Sequence, residues 1–99
     1  MVYEIAELQI HPGQEREFEA AVQQAVPIFQ RSAGCGGVEL QRVVEDAGSY
    51  RLVVKWETVE HHTVTFRGGE NFAAWRALVG KFFARPPVVK HASTVFRGF

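Results

Sequence analysis

The sequence predicts an α+β domain of the ferredoxin-like kind, β-α-β-β-α-β, with an antiparallel sheet and both helices on one face. Three observations carry this reading. Apolar side chains alternate in twos near the start, twice in the middle and again at the end of the chain. Helical spacing fills the two gaps between those stretches. The "DAGS" of Asp46–Ser49, a hairpin signal, separates the two central strands. With 99 residues the chain is expected to form a single domain, residues 1–99.

In the first strand, Val2–Ile10, the residues Val2, Ala6, Leu8 and Ile10 share one face, and Tyr3, Ile5, Glu7 and Gln9 the other. Pro12 and Gly13 punctuate the chain, and Glu15, Glu17 and Glu19 follow where a helix dipole favours acids. Phe18, Ala21, Val22, Ala25 and Phe29 recur at helical spacing, so residues 14–31 read as an amphipathic helix. Pro27 removes a backbone hydrogen bond inside it and predicts a kink or an early end. Gly34, Gly36 and Gly37 then read as a stop and a turn.

Two strands follow. Val38–Glu45 carries Val38, Leu40 and Val44 on one face, and Tyr50–Glu57 sets Tyr50, Leu52, Val54 and Trp56 against Arg51, Val53, Lys55 and Glu57. Thr58 opens a short helical piece that runs to Phe66. Arg67–Gly69 interrupts it, and a longer helix carries Phe72, Trp75, Leu78, Val79, Phe82 and Phe83 on an apolar side. Asn71 directly precedes that apolar run, the position of an N-cap. Pro86 and Pro87 are expected to end the helix, and Val88–Phe96 is the last strand. Apolar residues also appear on the second face of the strands (Tyr3, Ile5, Val43, Val53, Val89, Val95), although one chain's helices cover only one face. A homodimer closed sheet to sheet is the expected partner arrangement.

Composition narrows the function classes. Formal net charge is zero, and no Lys/Arg cluster or aromatic-basic stripe suggests nucleic acid. No apolar run approaches the roughly 20 residues of a membrane span. The opening "MVYEIAELQI" lacks the features of a secretory signal, and Cys35 stands alone, so a reducing, cytoplasmic setting is expected. No Cys/His/Asp spacing supports a metal site.

Taken in order, "HPGQEREFEAA" after an opening strand, "VVKWET", "EHH", "FRGGENFAAW" and "FFARPPVVKHASTV" give the chain a wider likeness. Nearly end to end it resembles the antibiotic biosynthesis monooxygenase (ABM) domain family, small dimeric α+β barrel proteins. The resemblance implies a ferredoxin-like fold, a dimer whose sheets form a barrel, and a pocket between helices and sheet in each subunit. Some relatives oxidise phenols with molecular oxygen and no flavin, metal or haem. In them an Asn-x-x-x-Trp pair on the second helical segment lies at the substrate, and Asn71 and Trp75 match that spacing. The Tyr and Arg that accompany the pair elsewhere have no counterpart here; Lys81 and Val95 stand near their places. Nor does the likeness extend to the haem-degrading branch. Arg85 stands near the expected axial His, and no Asn occurs in Val2–Ile10.

The candidate catalytic residues are therefore Asn71, Trp75, His62 and His91, with Trp56, Phe66, Phe72, Phe82 and Phe83 as substrate-binding walls. His61 and His62 diverge by about 100° on a helix, so only one of them faces a given centre. His62 and His91 are expected to meet as a polar pair, where a neutral imidazole suits a general base. Each candidate also has a structural reading: Asn71 as a helix cap, Trp75 as core, the histidines as satisfied buried groups. Arg67 and Arg85 are candidates for an anion at the pocket mouth. The expected function is a cofactor-independent monooxygenase on a small electron-rich aromatic or quinol, with oxygen as co-substrate. The alternatives are a non-catalytic dimer that binds a small hydrophobic metabolite, and an isomerase or other proton-transfer enzyme on a small carbonyl compound.

Overall fold

The computed structural model describes residues 1–99. Four strands, β1 (Val2–Gln9), β2 (Cys35–Arg42), β3 (Ser49–Trp56) and β4 (Val88–Ala92), form one sheet in the order β2-β3-β1-β4. Every neighbouring pair is antiparallel. Helix α1 (Glu15–Gln30) joins β1 to β2; a π-helical turn (His61–Phe66), α2 (Glu70–Val79) and a 3-10 turn (Gly80–Phe82) join β3 to β4. This is the ferredoxin-like α+β architecture.

Strand parity sets the core. Ala6, Leu8 and Ile10 of β1 and the following bridge, and Tyr50, Leu52, Val54 and Trp56 of β3, are all buried toward the helices. Phe18, Val22, Ala25 and Phe29 of α1 cover them, and Phe18 meets Tyr50 edge to face at 5.0 Å between ring centres. A packed phenylalanine such as Phe18 contributes about 3–5 kcal/mol relative to alanine. Trp75, Val79 and Phe82 close the other half of the layer.

Several expectations are corrected. Helix α1 passes through Pro27 and ends at Gln30. The missing N–H costs the one helical bond to the Gln23 carbonyl, and the helix continues past it for three more residues. Only Gly34 turns the chain, with φ of 79°. Cys35, Gly36 and Gly37 already belong to β2, which carries an irregularity between Cys35 and Gly37. Val44 lies beyond β2 and is exposed. The cap of α2 is Gly69 in extended conformation, not Asn71, which is already inside the helix. The helix gives way at Val79, well before Pro86. Strand β4 stops at Ala92, leaving Val95 and Phe96 exposed.

The register also separates the two sheet faces. Val89 pairs with Ala6 and so points toward the helices, contrary to its sequence assignment. Ile5 pairs with Val53 and Lys90, and Tyr3 with Lys55 and Ala92, so Tyr3, Ile5 and Val53 lie on the face without helices. These three are half-buried by their sheet neighbours alone.

Candidate active site

A cavity of about 190 Å³ lies between the helix-side face of the sheet and the second helical segment. Its floor is β1 and β3 (Glu4, Ala6, Leu8 and Leu52), and Val89 of β4 closes one side. Phe29 of α1, Phe66, Phe72 and Trp75 supply aromatic walls, and Arg67, Arg76 and Phe83 border them. The walls hold one another. Phe29 stacks on Phe66 at 5.5 Å, and Trp75 meets Phe29 edge to face at 5.1 Å. Phe66 meets Phe72 edge to face at 5.7 Å. Arg76 lies over the Phe83 ring at 5.3 Å.

The polar end of the cavity is built from β1 and the π-helical turn. Residue 4 has the inward parity of its strand, so Glu4 is carried into the interior and is 7% exposed. The Trp56 indole N–H donates to its Oε1 at 3.0 Å. His62 Nε2 stands 3.2 Å from the same oxygen, and the His62 ring is stacked on Trp56 with 5.5 Å between centres. On its other side, His62 Nδ1 lies 2.8 Å from Nε2 of His91. His91 faces Glu4 across the β1–β4 ladder, which is why it meets His62 there. Burial pushes the Glu4 carboxyl up from the usual carboxylate range, against the Trp56 hydrogen bond and the charge of Arg67. Burial also lowers the His62 imidazole to about 4, aided by Arg67 and His91. Each group is thereby favoured in its neutral form.

Every sealed side-chain oxygen or nitrogen in the protein has a hydrogen-bond partner. Both contacts of the Glu4 carboxyl fall on Oε1. Its Oε2 is therefore not sealed, and Glu4 lines the cavity. Trp75 lines the same cavity.

The sequence candidates divide. Phe66, Phe72, Phe83, Trp75 and His62 line the cavity. His91 reaches it through His62. Trp56 lies behind the polar end, fully buried, and Phe82 packs on Phe18 at 6.0 Å instead. Asn71 stands outside the lining, where its Oδ1 accepts from Arg31 Nε at 2.9 Å and ties α2 to the end of α1. His61 turns away to Thr58, whose Oγ1 is 2.8 Å from its Nδ1. Arg85 lies outside this cavity, whereas Arg67 borders it. No group of three His, Cys, Asp or Glu is placed to hold a metal ion. Sequence reasoning missed Glu4. Its signal was a carboxylate at inward parity between Val2 and Ala6.

Comparison with known proteins agrees with this architecture. The family model described as antibiotic biosynthesis monooxygenase matches residues 1–78. A Bacillus subtilis (strain 168) protein, the uncharacterized YczJ, is 41% identical over 95 residues, spanning 96% of this chain and 100% of its own. A crystal structure from Bordetella bronchiseptica, itself a proposed antibiotic biosynthesis monooxygenase, superposes with a TM-score of 0.95 at 49% identity, over 96% of this chain and 97% of that one. A variant of SnoaB, a cofactor-independent oxygenase from Streptomyces nogalater, shares the fold with a TM-score of 0.80 at 15% identity, over 98% and 95% of the two chains. With most of its length matched by the family model, the chain belongs to the antibiotic biosynthesis monooxygenase (ABM) domain family.

Proposed function

We propose that the protein is a cofactor-independent monooxygenase acting on a small electron-rich phenol or quinol held in this cavity. The observation that carries the reading is an aromatic-walled cavity with a carboxyl–imidazole pair at its polar end, on a family fold shared with an oxygenase of that type. Size bounds the substrate. An apolar cavity of about 150 Å³ accommodates benzene, so about 190 Å³ takes one substituted ring or a compact fused pair. Loss of the hydroxyl proton turns such a ring into a strong electron donor. The phenolate passes an electron to oxygen, the radical pair combines, and a ring C–H becomes C=O while the second oxygen atom leaves as water. The electrons come from the substrate, so phenol plus oxygen gives quinone plus water. The protein supplies a proton acceptor, N–H and guanidinium groups near developing negative charge, and exclusion of water. Glu4 and His62 take the first role; the Trp75 N–H and Arg67 take the second. Asn71, tied to Arg31, positions the start of α2.

Oxygen uptake by the metal-free protein with naphthols and hydroquinones tests the reading. Quinone should form in step with uptake, and Trp75→Phe should slow turnover at least about tenfold with the fold retained. Saturable binding of these compounds with no uptake would instead favour a binding module, a reading that the engagement of Asn71 outside the cavity supports. A second copy is the proposed partner of the bare sheet face, through Tyr3, Ile5 and Val53. Sedimentation should then give a dimer that Val53→Glu converts to monomers. The free Cys35 fits a reducing, cytoplasmic compartment. No helix is long and apolar enough to cross a membrane.

A further inference from the structure

We propose that Glu4, His62 and His91 form a proton wire that carries the hydroxyl proton of a cavity-bound phenol out to solvent at the β4 edge. The wire rests on the phenolic reading of the cavity given above. It assigns the first proton acceptor to Glu4 Oε2, a residue on β1, rather than to either histidine. Three features of the geometry support this.

The first is the division of labour between the two carboxyl oxygens. Oε1 is held by the Trp56 N–H and approached by His62 Nε2, whereas Oε2 has no hydrogen bond and is not sealed, on a residue that lines the cavity. A carboxyl so placed receives a proton on one oxygen and releases one from the other. The second is continuity. From Oε1 the path crosses 3.2 Å to His62 Nε2, passes through the imidazole to Nδ1, and crosses 2.8 Å to His91 Nε2. The 3.2 Å step is a close approach and not yet a formed hydrogen bond, and catalytic hydrogen bonds commonly tighten on ligand binding. The third is direction. His62 is 2% exposed, but His91 lies half-exposed on an edge strand and does not line the cavity. Trp56 offers only a donor, so it anchors the wire without branching it.

The balance closes. In the relay as proposed, protons start on Glu4 Oε1, His62 Nδ1 and His91 Nδ1. The ligand O–H gives its proton to Oε2, Oε1–H gives its proton to His62 Nε2, and His62 Nδ1–H gives its proton to His91 Nε2. The products are a phenolate in the cavity and an imidazolium at His91, which loses its Nδ1 proton to water. The wire is then reversed and set to return one proton when the reduced oxygen leaves as water. The groups facing it are Arg67, which follows the π-helical turn and favours the phenolate, and Cys35 on β2, whose thiol is pushed up by burial and stays neutral.

The experiment uses 4-nitrophenol, whose anion is yellow, under argon so that no oxidation occurs, at a pH below the probe's own pKa. Wild-type protein should bind the probe as phenolate and release one proton per site, followed by rapid-mixing absorbance and pH-stat titration. Glu4→Gln should bind the probe but leave it colourless. His91→Ala should slow phenolate formation at least about tenfold, and added imidazole, entering the gap at the open edge, should restore it. Circular dichroism melts confirm that both variants are folded. Ionisation of the probe by Glu4→Gln at the wild-type level overturns the wire. So does an unchanged rate in His91→Ala, or a slow one that imidazole does not rescue. Binding by wild type without ionisation also overturns it while leaving the cavity intact; no binding at all removes the phenolic reading and the wire together.

Discussion

Acid should unfold this protein through His62, and the size of the effect follows from its surroundings. Free in an unfolded chain, this imidazole takes its proton near 6.5; in the folded protein burial, Arg67 and His91 hold it to about 4. Between those values the unfolded state binds more protons, so stability falls as pH falls. One pKa step is worth about 1.4 kcal/mol, and the difference therefore amounts to about 3 kcal/mol, lost from pH 6.5 downward and fully gone below about 4. That is a large share of the roughly 5–15 kcal/mol of a typical domain. Glu4 acts with the opposite sign. Its folded carboxyl protonates above its unfolded value of 4.5, so acidification through that interval adds stability and partly masks the His62 loss. Urea unfolding followed by the fluorescence of Trp56 and Trp75, both buried, measures the sum. His62→Gln should be less stable than wild type at pH 7, because it loses the stack on Trp56, yet the gap should narrow by about 3 kcal/mol on going to pH 4. The Glu4→Gln variant should show a steeper acid loss than wild type. Parallel pH curves for wild type and His62→Gln would refute the argument, because they would mean that the imidazole meets the same environment folded and unfolded.

Glu4→Gln should leave stability at pH 8 unchanged or raise it by about 1 kcal/mol, since the amide keeps an acceptor for Trp56 and removes a buried ionisable carboxyl. The advantage should disappear below pH 4.5, where the unfolded carboxyl is also neutral; thermal melts at both pH values check this. Gly34→Ala should cost at least about 2 kcal/mol, because φ is 79° and the new Cβ would come 2.4 Å from the His61 ring. Gly13→Ala, at φ of 86° with nothing within 4 Å, isolates the backbone part and should cost about 1 kcal/mol. Equal losses at the two sites in urea titrations would remove the steric part of the argument.

Much of the architecture was legible in the sequence because period and parity are local properties. Tyr50, Leu52, Val54 and Trp56 alternate in the chain and are all buried, and the spacing of Phe18, Val22, Ala25 and Phe29 marks the buried stripe of α1. Where the reading erred, long-range pairing had decided the outcome. Gly36 and Gly37 look like a turn, yet β3 pairs Gly37 with Lys55 and draws both into a strand, with Gly36 at its irregularity. Val89 reads as an outer-face residue until its pairing with Ala6 is known.

The candidate site divides in the same way. Phe66, Phe72, Phe83 and Trp75 as lining and the meeting of His62 with His91 were legible, since an apolar helix face and inward-pointing histidines must share the space above the sheet. Trp56 and Phe82 were placed in the walls wrongly, and Phe29 was missed. Which residue stands at the polar end was not legible. Glu4 and Trp56 are 52 positions apart in the chain, and His62 and His91 are 29 apart. What the chain determined alone was the element order, the faces of β3 and α1, and membership in a recognisable pattern. Only the tertiary structure decided that Asn71 answers to Arg31 and that a buried carboxyl, bonded through one oxygen, stands in the cavity lining. The reason is physical. Desolvation and hydrogen-bond competition depend on neighbours that no window of sequence contains.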